Sequence, residues 1–388
     1  MALVSGAIAN KPYNSGATWT RLNYVLGLRR LGFEVYFVEQ IATESCTGAQ
    51  GEATTFGASV NRSYFQEIVN DFDLDGRASL LCDGGRESCG PPLERLVEAA
   101  SDAELLVNIS GHLTLPELIC RVRTKVYVDL DPGFTQLWVA TGNGGARLEG
   151  HDYHFTVGEN LGTPACSLPT CGLRWRPTRP PVVLEQWPVV KGPPGRFTTI
   201  ASWRGPYGPI EHEGKRLGLK VHEFRKVLDL PARSAGKFEL ALEIHAGDRG
   251  DLQALGEHGW TVVEPRVAVP DPAAFRRYVQ GSGAEFSVAQ GIYVDAATGW
   301  FSDRTVRYLA SGKPALVQET GFSANLPAGE GLLAFRDVEE AARGVARILA
   351  DYDRHCHAAR ALAEKVFDSD VVLGALLDEI GLGAGGVT

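Results

Sequence analysis

The stretch GWFSDRTVRYLASGKPALVQETGF, residues 299 to 322, decides how this chain is to be read. Gly299, Trp300, Ser302, Asp303, Arg304 and Thr305 stand at the start of an apolar-periodic segment, which Gly312-Lys313-Pro314 closes. The spacing predicts a helix over Arg304 to Ala310, then a strand over Ala315 to Val317, then the loop Glu319-Thr320-Gly321. Ser302 or Asp303 can cap that helix, because a short side-chain oxygen accepts from the N–H groups of the first turn. The same N–H groups and the positive end of the helix dipole suit an anion, with Arg304 beside them. A cap alone also accounts for the pattern, so the rest of the chain must decide.

Working outward, the same alternation recurs on both sides. Residues 2 to 8 read as a strand, the loop NKPYNSGAT follows, Trp19 to Leu31 has helical spacing, and Phe33 to Val38 is a second strand. Strands at 104–109, 125–130 and 153–157 continue the first half, with helices at 93–100 and 115–121. From Cys171 to Arg196 six prolines forbid a continuous helix and predict a linker or extended crossover. The alternation restarts with strands at 197–202, 238–244, 260–263, 285–288 and 315–317, and helices fill the text from Val338 to Phe367 and from Val371 to Ile380. Strands alternating with helices predict parallel sheets covered on both faces. The expected fold class is α/β, with two Rossmann-like doubly wound domains facing a central cleft. The boundaries are 1–190 and 191–388, the last helix being free to pack on either half.

Composition narrows the function. A chain of 388 residues exceeds one hydrophobic core, and 44% hydrophobic with 22% charged residues is ordinary globular content. A net charge of -9 argues against sequence-independent nucleic-acid binding, which needs a basic footprint. The N-terminal text reads as neither a signal peptide nor a membrane span, so a cytoplasmic protein is expected. The seven cysteines form no CxxC pair and are expected as free thiols, with no metal site.

In an open parallel sheet the ligand lies outside the carboxyl ends of the strands. Loops there in the second half carry Trp203 and Arg204, then Glu264 and Arg266, then Gly299 to Thr305, then Glu319, Thr320 and Gly321. Together they offer cations, a helix start, carboxylates for sugar hydroxyls and glycines for close backbone approach. That combination suits a nucleoside diphosphate.

The order of residues 299 to 335, a Gly/Ser loop, a helix ending Ala-Ser-Gly-Lys-Pro, a strand, Thr-Gly-Phe and then Gly329-Glu330-Gly331-Leu332-Leu333, is similar to the donor-binding region of GT-B glycosyltransferases. The text NSGATWTRLNYVLGLRRLGFEVYFVE resembles their opening, and the likeness is to families 4 and 1 of these enzymes. The resemblance implies a hexosyl or deoxysugar transferase that takes a nucleotide-sugar donor and a small-molecule acceptor without a metal or other cofactor. A secondary metabolite such as an antibiotic is the expected acceptor. Arg204 and Lys215 resemble the Arg and Lys that grip the diphosphate. Arg307 stands where many retaining members carry a glutamate, so ribose recognition passes to Glu319 or Asp303.

The first half is then expected to bind the acceptor, with Asn14, Ser15 and Gly16 lining the cleft. An inverting transfer needs a general base, for which Asp131 and His112 are the candidates at the ends of strands. Trp203 and Trp300, at loop positions, offer stacking faces. The Asp129-Leu130-Asp131 triplet also has the form of a metal-binding Asp-x-Asp, but that reading leaves the second half without a purpose. Asp71 to Cys82 starts like a calcium loop and lacks its final glutamate. Gly142 to Gly145 does not follow a strand in the dinucleotide pattern, and His355 and His357 are two apart on a helix and face different ways. A sugar-nucleotide epimerase or hydrolase, or a two-domain ligand-binding protein of the periplasmic type, remains an alternative.

Overall fold

The architecture was obtained as a computed structural model, which describes residues 1–142, 144–205, 207–212 and 214–383, leaving the side chains of residues 144, 215 and 216 outside the description. The first sheet comprises β1 (Ala2–Ser5), β2 (Val35–Ile41), β3 (Ala78–Cys82), β4 (Glu87–Cys89), β5 (Leu105–Ile109), β6 (Thr124–Asp129), β7 (Tyr153–Thr156) and β8 (Trp175–Pro177). Its spatial order is β4-β3-β2-β1-β5-β6-β7-β8, parallel except for the β3–β4 hairpin. β1, β3 and β5 are buried along their whole length, as a sheet covered on both faces requires.

After the hairpin β10 (Ile210–His212) and β11 (Lys215–Leu217), which stands apart, the second sheet is built from β9 (Arg196–Ser202), β12 (Lys237–Glu243), β13 (Thr261–Val263), β14 (Ala284–Ser287), β15 (Ala315–Gln318) and β16 (Leu332–Phe335). The order β13-β12-β9-β14-β15-β16 is wholly parallel and reverses direction between β9 and β14. The first sheet reverses between β1 and β5. These two switch points are where a doubly wound sheet opens a crevice.

The proline-rich text does more than link. Trp175–Pro177 adds an edge strand, and Val182 exchanges backbone hydrogen bonds with Phe367 and Ser369 at 2.8 Å, while Trp187 is fully buried. Proline lacks a backbone donor, which suits it to such an edge and strap. The helix Ser369–Glu379 lies against α1 (Ser15–Arg30): a Cβ on Gly27 would come within 2.6 Å of Leu373, and Arg30 forks onto Asp370 at 2.8 and 3.0 Å. One hydrophobic core runs through both halves, joining Trp19, Leu22 and Trp187 of the first to Phe275, Phe301 and Val306 of the second. No helix among the described residues is long and apolar enough to cross a membrane.

Candidate functional site

Two cavities open at the switch points. One, of about 550 Å³, is the cleft between the halves. The other, of about 510 Å³, lies in the first half over the ends of β2, β3, β5 and β6. They meet at Asp131 and Tyr207, which line both.

The first-half wall of the cleft is the loop after β1 and the start of α1. Asn14 caps α1 by accepting from Ala17 N at 3.0 Å, Ser15 Oγ donates to Val269 O at 3.0 Å and Trp19 Nε1 to Pro272 O at 2.9 Å. The expected acceptor-side residues Asn14, Ser15 and Gly16 therefore line the cleft while pinning α1 to the second half. Lys11, Thr20 and Arg21 complete this wall.

On the facing wall stand Ser202 and Glu243 at strand ends, Glu264 and Arg266 after β13, Lys220, and Trp300, Asp303, Arg304 and Arg307. Asp303 Oδ2 accepts from Thr20 Oγ1 at 2.5 Å and Arg307 Nη2 at 2.7 Å, and Arg307 Nη2 also reaches Gly16 O at 3.2 Å. Burial alone would raise the Asp303 pKa; Arg307, Thr20, Arg304 and Arg21 outweigh it and hold the carboxyl below its ordinary range. Arg304 is held within its own half, with Nε on Glu285 Oε1 at 2.6 Å, Nη1 on Ile200 O at 2.8 Å and Nη2 on Ser287 Oγ at 2.5 Å. Lys220 opens the helix Lys220–Lys226, and burial, then Arg304, bring its pKa down to about 7.

Asp131 follows β6. Its neighbour Asp129, fully buried, accepts from Thr135, Gln136 and Thr156 at 2.6 to 3.0 Å and from Asp131 N at 3.0 Å, and so fixes the turn. Tyr293 Oη from the second half donates to Asp131 Oδ1 at 3.0 Å and stacks on Trp300. Burial raises the Asp131 pKa, against the opposing effects of Lys11, Tyr293 and Arg21. His112 lines the first-half cavity with Asp131, and burial, with Arg21, Lys11 and Arg147, pushes its pKa down to about 3, so the ring is neutral. Asp83, Ser110 and Arg147 line this cavity with φ of 46°, 55° and 48°, three of the seven non-glycine residues in the left-handed region among the described residues. Such strain persists where the surroundings over-determine it and gathers at functional sites.

The other expected residues lie elsewhere. Trp203 is buried against Phe224 with Nε1 on Asp251 at 2.9 Å, and Arg204 forks onto Asp248 at the surface, at 2.9 and 2.5 Å. The Lys215 side chain is outside the described residues. Ser302 and Thr305 are buried behind the cleft. Gly299 donates to Thr320 O at 2.7 Å, Thr320 Oγ1 to Trp300 O at 2.5 Å, and Glu319 Oε1 accepts from Gly321 N at 2.7 Å. Asn160 of the first half reaches Gly321 O and Ala297 O at 3.2 and 2.9 Å, so these loops seat the halves on one another away from the cleft. Ribose recognition at Glu319 has no geometric basis there; among the described residues Glu243 and Glu264 are the second-half glutamates that line the cleft. Lys11, Arg21, Lys220, Tyr207 and Tyr293 escaped the sequence reading. Lys11 had a signal, a cation in the loop after β1, and Lys220 another, a cation at the first position of the helix Lys220–Lys226.

Solved structures share this fold over nearly the whole chain. HepE of Anabaena in complex with UDP superposes with a TM-score of 0.56 at 11% identity, covering 98% of both chains. Sucrose-phosphate synthase of Thermosynechococcus elongatus gives 0.53 at 12%, covering 98% of this chain and 99% of that one. An alpha-glucosyltransferase in complex with UDP gives 0.58 at 11%, covering 98% of both. The chain has the GT-B fold. No family model and no curated protein sequence matches it. In GT-B terms, the larger cavity is the cleft between the two Rossmann-like halves, and the second cavity belongs to the N-terminal one.

Proposed function

We propose that the protein transfers a sugar from a nucleoside-diphospho-sugar, held in the cleft against the second half, to a hydroxyl of a small molecule in the first-half cavity. The observation that carries this reading is the meeting of the two cavities at Asp131. The solved neighbours named above with UDP bound lend support, since their fold is the same. The cleft is lined by Lys11, Arg21, Lys220 and Arg266 besides the ion-paired Arg304 and Arg307, and although Asp131, Glu243, Glu264 and Asp303 stand there too, the cations are in excess in a chain of net charge -9, which suits an anionic ligand.

Asp131 takes the proton of the acceptor hydroxyl as its oxygen bonds to the anomeric carbon, and the bond from that carbon to the diphosphate breaks with its electron pair on the phosphate oxygen. A single displacement of this kind inverts the anomeric centre. Lys220 and Arg266 neutralise the leaving diphosphate in place of a metal. Neutral His112 hydrogen-bonds the acceptor. The first-half cavity, about 510 Å³, has room for a small acceptor, for which an antibiotic or other secondary metabolite is the proposed class.

The test is thermal stabilisation by UDP, dTDP, GDP, ADP and CDP, with and without EDTA, in the wild type and in Lys220→Ala. A ligand that binds only the folded state raises its apparent stability. The expected result is a shift with one diphosphate, unchanged by EDTA and reduced in the variant. No shift with any of the five overturns the donor reading.

A further inference from the structure

Arg21 is a buried cation with no direct ion pair among the described residues, the carboxylates of Asp303, Glu39 and Asp131 acting on it only through space. It lies inside α1, is 6% exposed and lines the cleft. Room for it is made by Gly6, where a Cβ would stand 2.8 Å from Arg21 Cγ. Among the described residues no carboxylate pairs with it; its Nη1 donates to Ala17 O at 3.2 Å and its Nε has no acceptor. Glu39, the buried acid of the same layer, spends both oxygens on the N–H groups of Ile8, Ala9 and Asn10. A guanidinium cannot shed its proton, so an unpaired one in a buried wall is costly without a ligand.

Two further cations flank it. Lys11 lines the same wall, also without an ion pair among the described residues, and its charge and that of Arg21 are both felt at Asp131. Arg307 is 1% exposed with Nη2 committed to Asp303, Thr20 and Gly16, while its Nε and Nη1 have no acceptor. Arg21 and Lys11 sit beside the proposed base on the first-half wall, whereas Arg307 belongs to the facing wall that presents Lys220 and Arg266 to a diphosphate.

We propose that Arg21, with Lys11, binds a carboxylate on the transferred sugar, so that the donor is a nucleoside-diphospho-hexuronate. The inference rests on the cleft being the donor site, and it narrows the sugar from any hexosyl or deoxysugar unit to an acid sugar. With Asp131 as base to the acceptor hydroxyl, the anomeric carbon lies one acceptor oxygen away from it, which brings the ring substituents toward the two cations. A carboxylate matches the planar fork of arginine, whereas a neutral hydroxymethyl group leaves the buried guanidinium unpaired, and the site discriminates on that difference.

The test measures affinity for the hexose and hexuronate conjugates of whichever nucleoside diphosphate stabilises the protein, for uridine UDP-glucose against UDP-glucuronate. The expected result is tighter binding of the hexuronate by about 10-fold or more, the worth of a charge-assisted pair. In Arg21→Gln the ratio falls toward unity, and in Arg21→Lys part of it returns. Equal affinity of the wild type for the two conjugates overturns the inference whether or not the variants fold. So does an Arg21→Gln variant that weakens both conjugates by one factor, which assigns Arg21 to the diphosphate. Failure of every nucleoside diphosphate to bind overturns the donor reading itself.

Discussion

Tyr293 Oη donates to Asp131 Oδ1 at 3.0 Å, so a residue of the second half holds the carboxylate of the first at the point where the two cavities meet. The bond stabilises the charged carboxylate against the burial that raises its pKa. Tyr293→Phe removes the donor and raises that pKa further. A general base works deprotonated, so the acidic limb of the kcat/KM profile moves to higher pH, while Asp131→Asn lowers kcat by about 10² to 10⁴. Initial rates across pH for both variants check this, and an unmoved limb removes Asp131 as the base.

Lys220 sets the pH dependence of ligand binding. With its pKa brought down to about 7, the ammonium that attracts a diphosphate is fully present only below that value, and a bound anion moves the titration upward. Affinity for the nucleoside diphosphate is expected to be greatest near pH 6 and to fall at alkaline pH. Lys220→Ala weakens binding about 10-fold at the lower pH, as the loss of one charge-assisted hydrogen bond predicts, and little at the higher. Calorimetric titrations at two pH values distinguish this from a purely structural role.

Glu39 makes stability pH-dependent. Burial, opposed by the N–H groups of Asn10, Ala9 and Ile8 and by Arg21, pushes its pKa up from 4.5 to about 7. Between those values the folded state binds more protons than the unfolded one, so stability is highest below the lower value and falls as pH rises through the upper. The loss is on the order of 3 kcal/mol. Urea midpoints at pH 5 and pH 8 should show the decline in the wild type and a flatter response in Glu39→Gln.

Gly6→Ala places a methyl group 2.8 Å from Arg21 Cγ and 3.4 Å from Ile109 Cβ. Neither atom is a free chain end, so overpacking of about 1 to 3 kcal/mol is expected. Arg21 is displaced, and a selectivity for hexuronate declines with it; denaturant unfolding and competitive binding report the two effects separately.

Trp19 ties the halves into one cooperative unit. It is buried against Phe72 and Trp187 with Nε1 on Pro272 O at 2.9 Å. The wild type should unfold in a single calorimetric transition because one core spans both halves. Trp19→Ala, at a cost of about 3 to 5 kcal/mol, is expected to lower the transition and broaden or split it.

By itself the sequence determined the alternation of strands and helices, because buried parallel strands must be apolar along their length and helices must repeat near 3.6 residues, as ALVS at 2–5 and LLVNI at 105–109 display. It also pointed to Asp131, Asn14, Ser15, Gly16, Glu264, Arg266, Trp300 and Arg304, which do line the cleft, since residues following strands or opening helices lie at the carboxyl ends whatever the packing. Short elements such as Phe134–Ala140 and the β10–β11 hairpin left too few residues for a period to register.

Only the tertiary structure decided which cations have free charge. Arg304 faces a buried glutamate 19 residues away, Arg204 an aspartate 44 away, and Tyr293 meets Asp131 across 162 residues. Arg21 reads in the sequence as an ordinary helical residue, and becomes a buried charge without a direct ion pair among the described residues because α1 lies against β1, where Gly6 makes room for it. Ion pairing and desolvation depend on what stands within a few ångströms, and the folded chain alone fixes those distances.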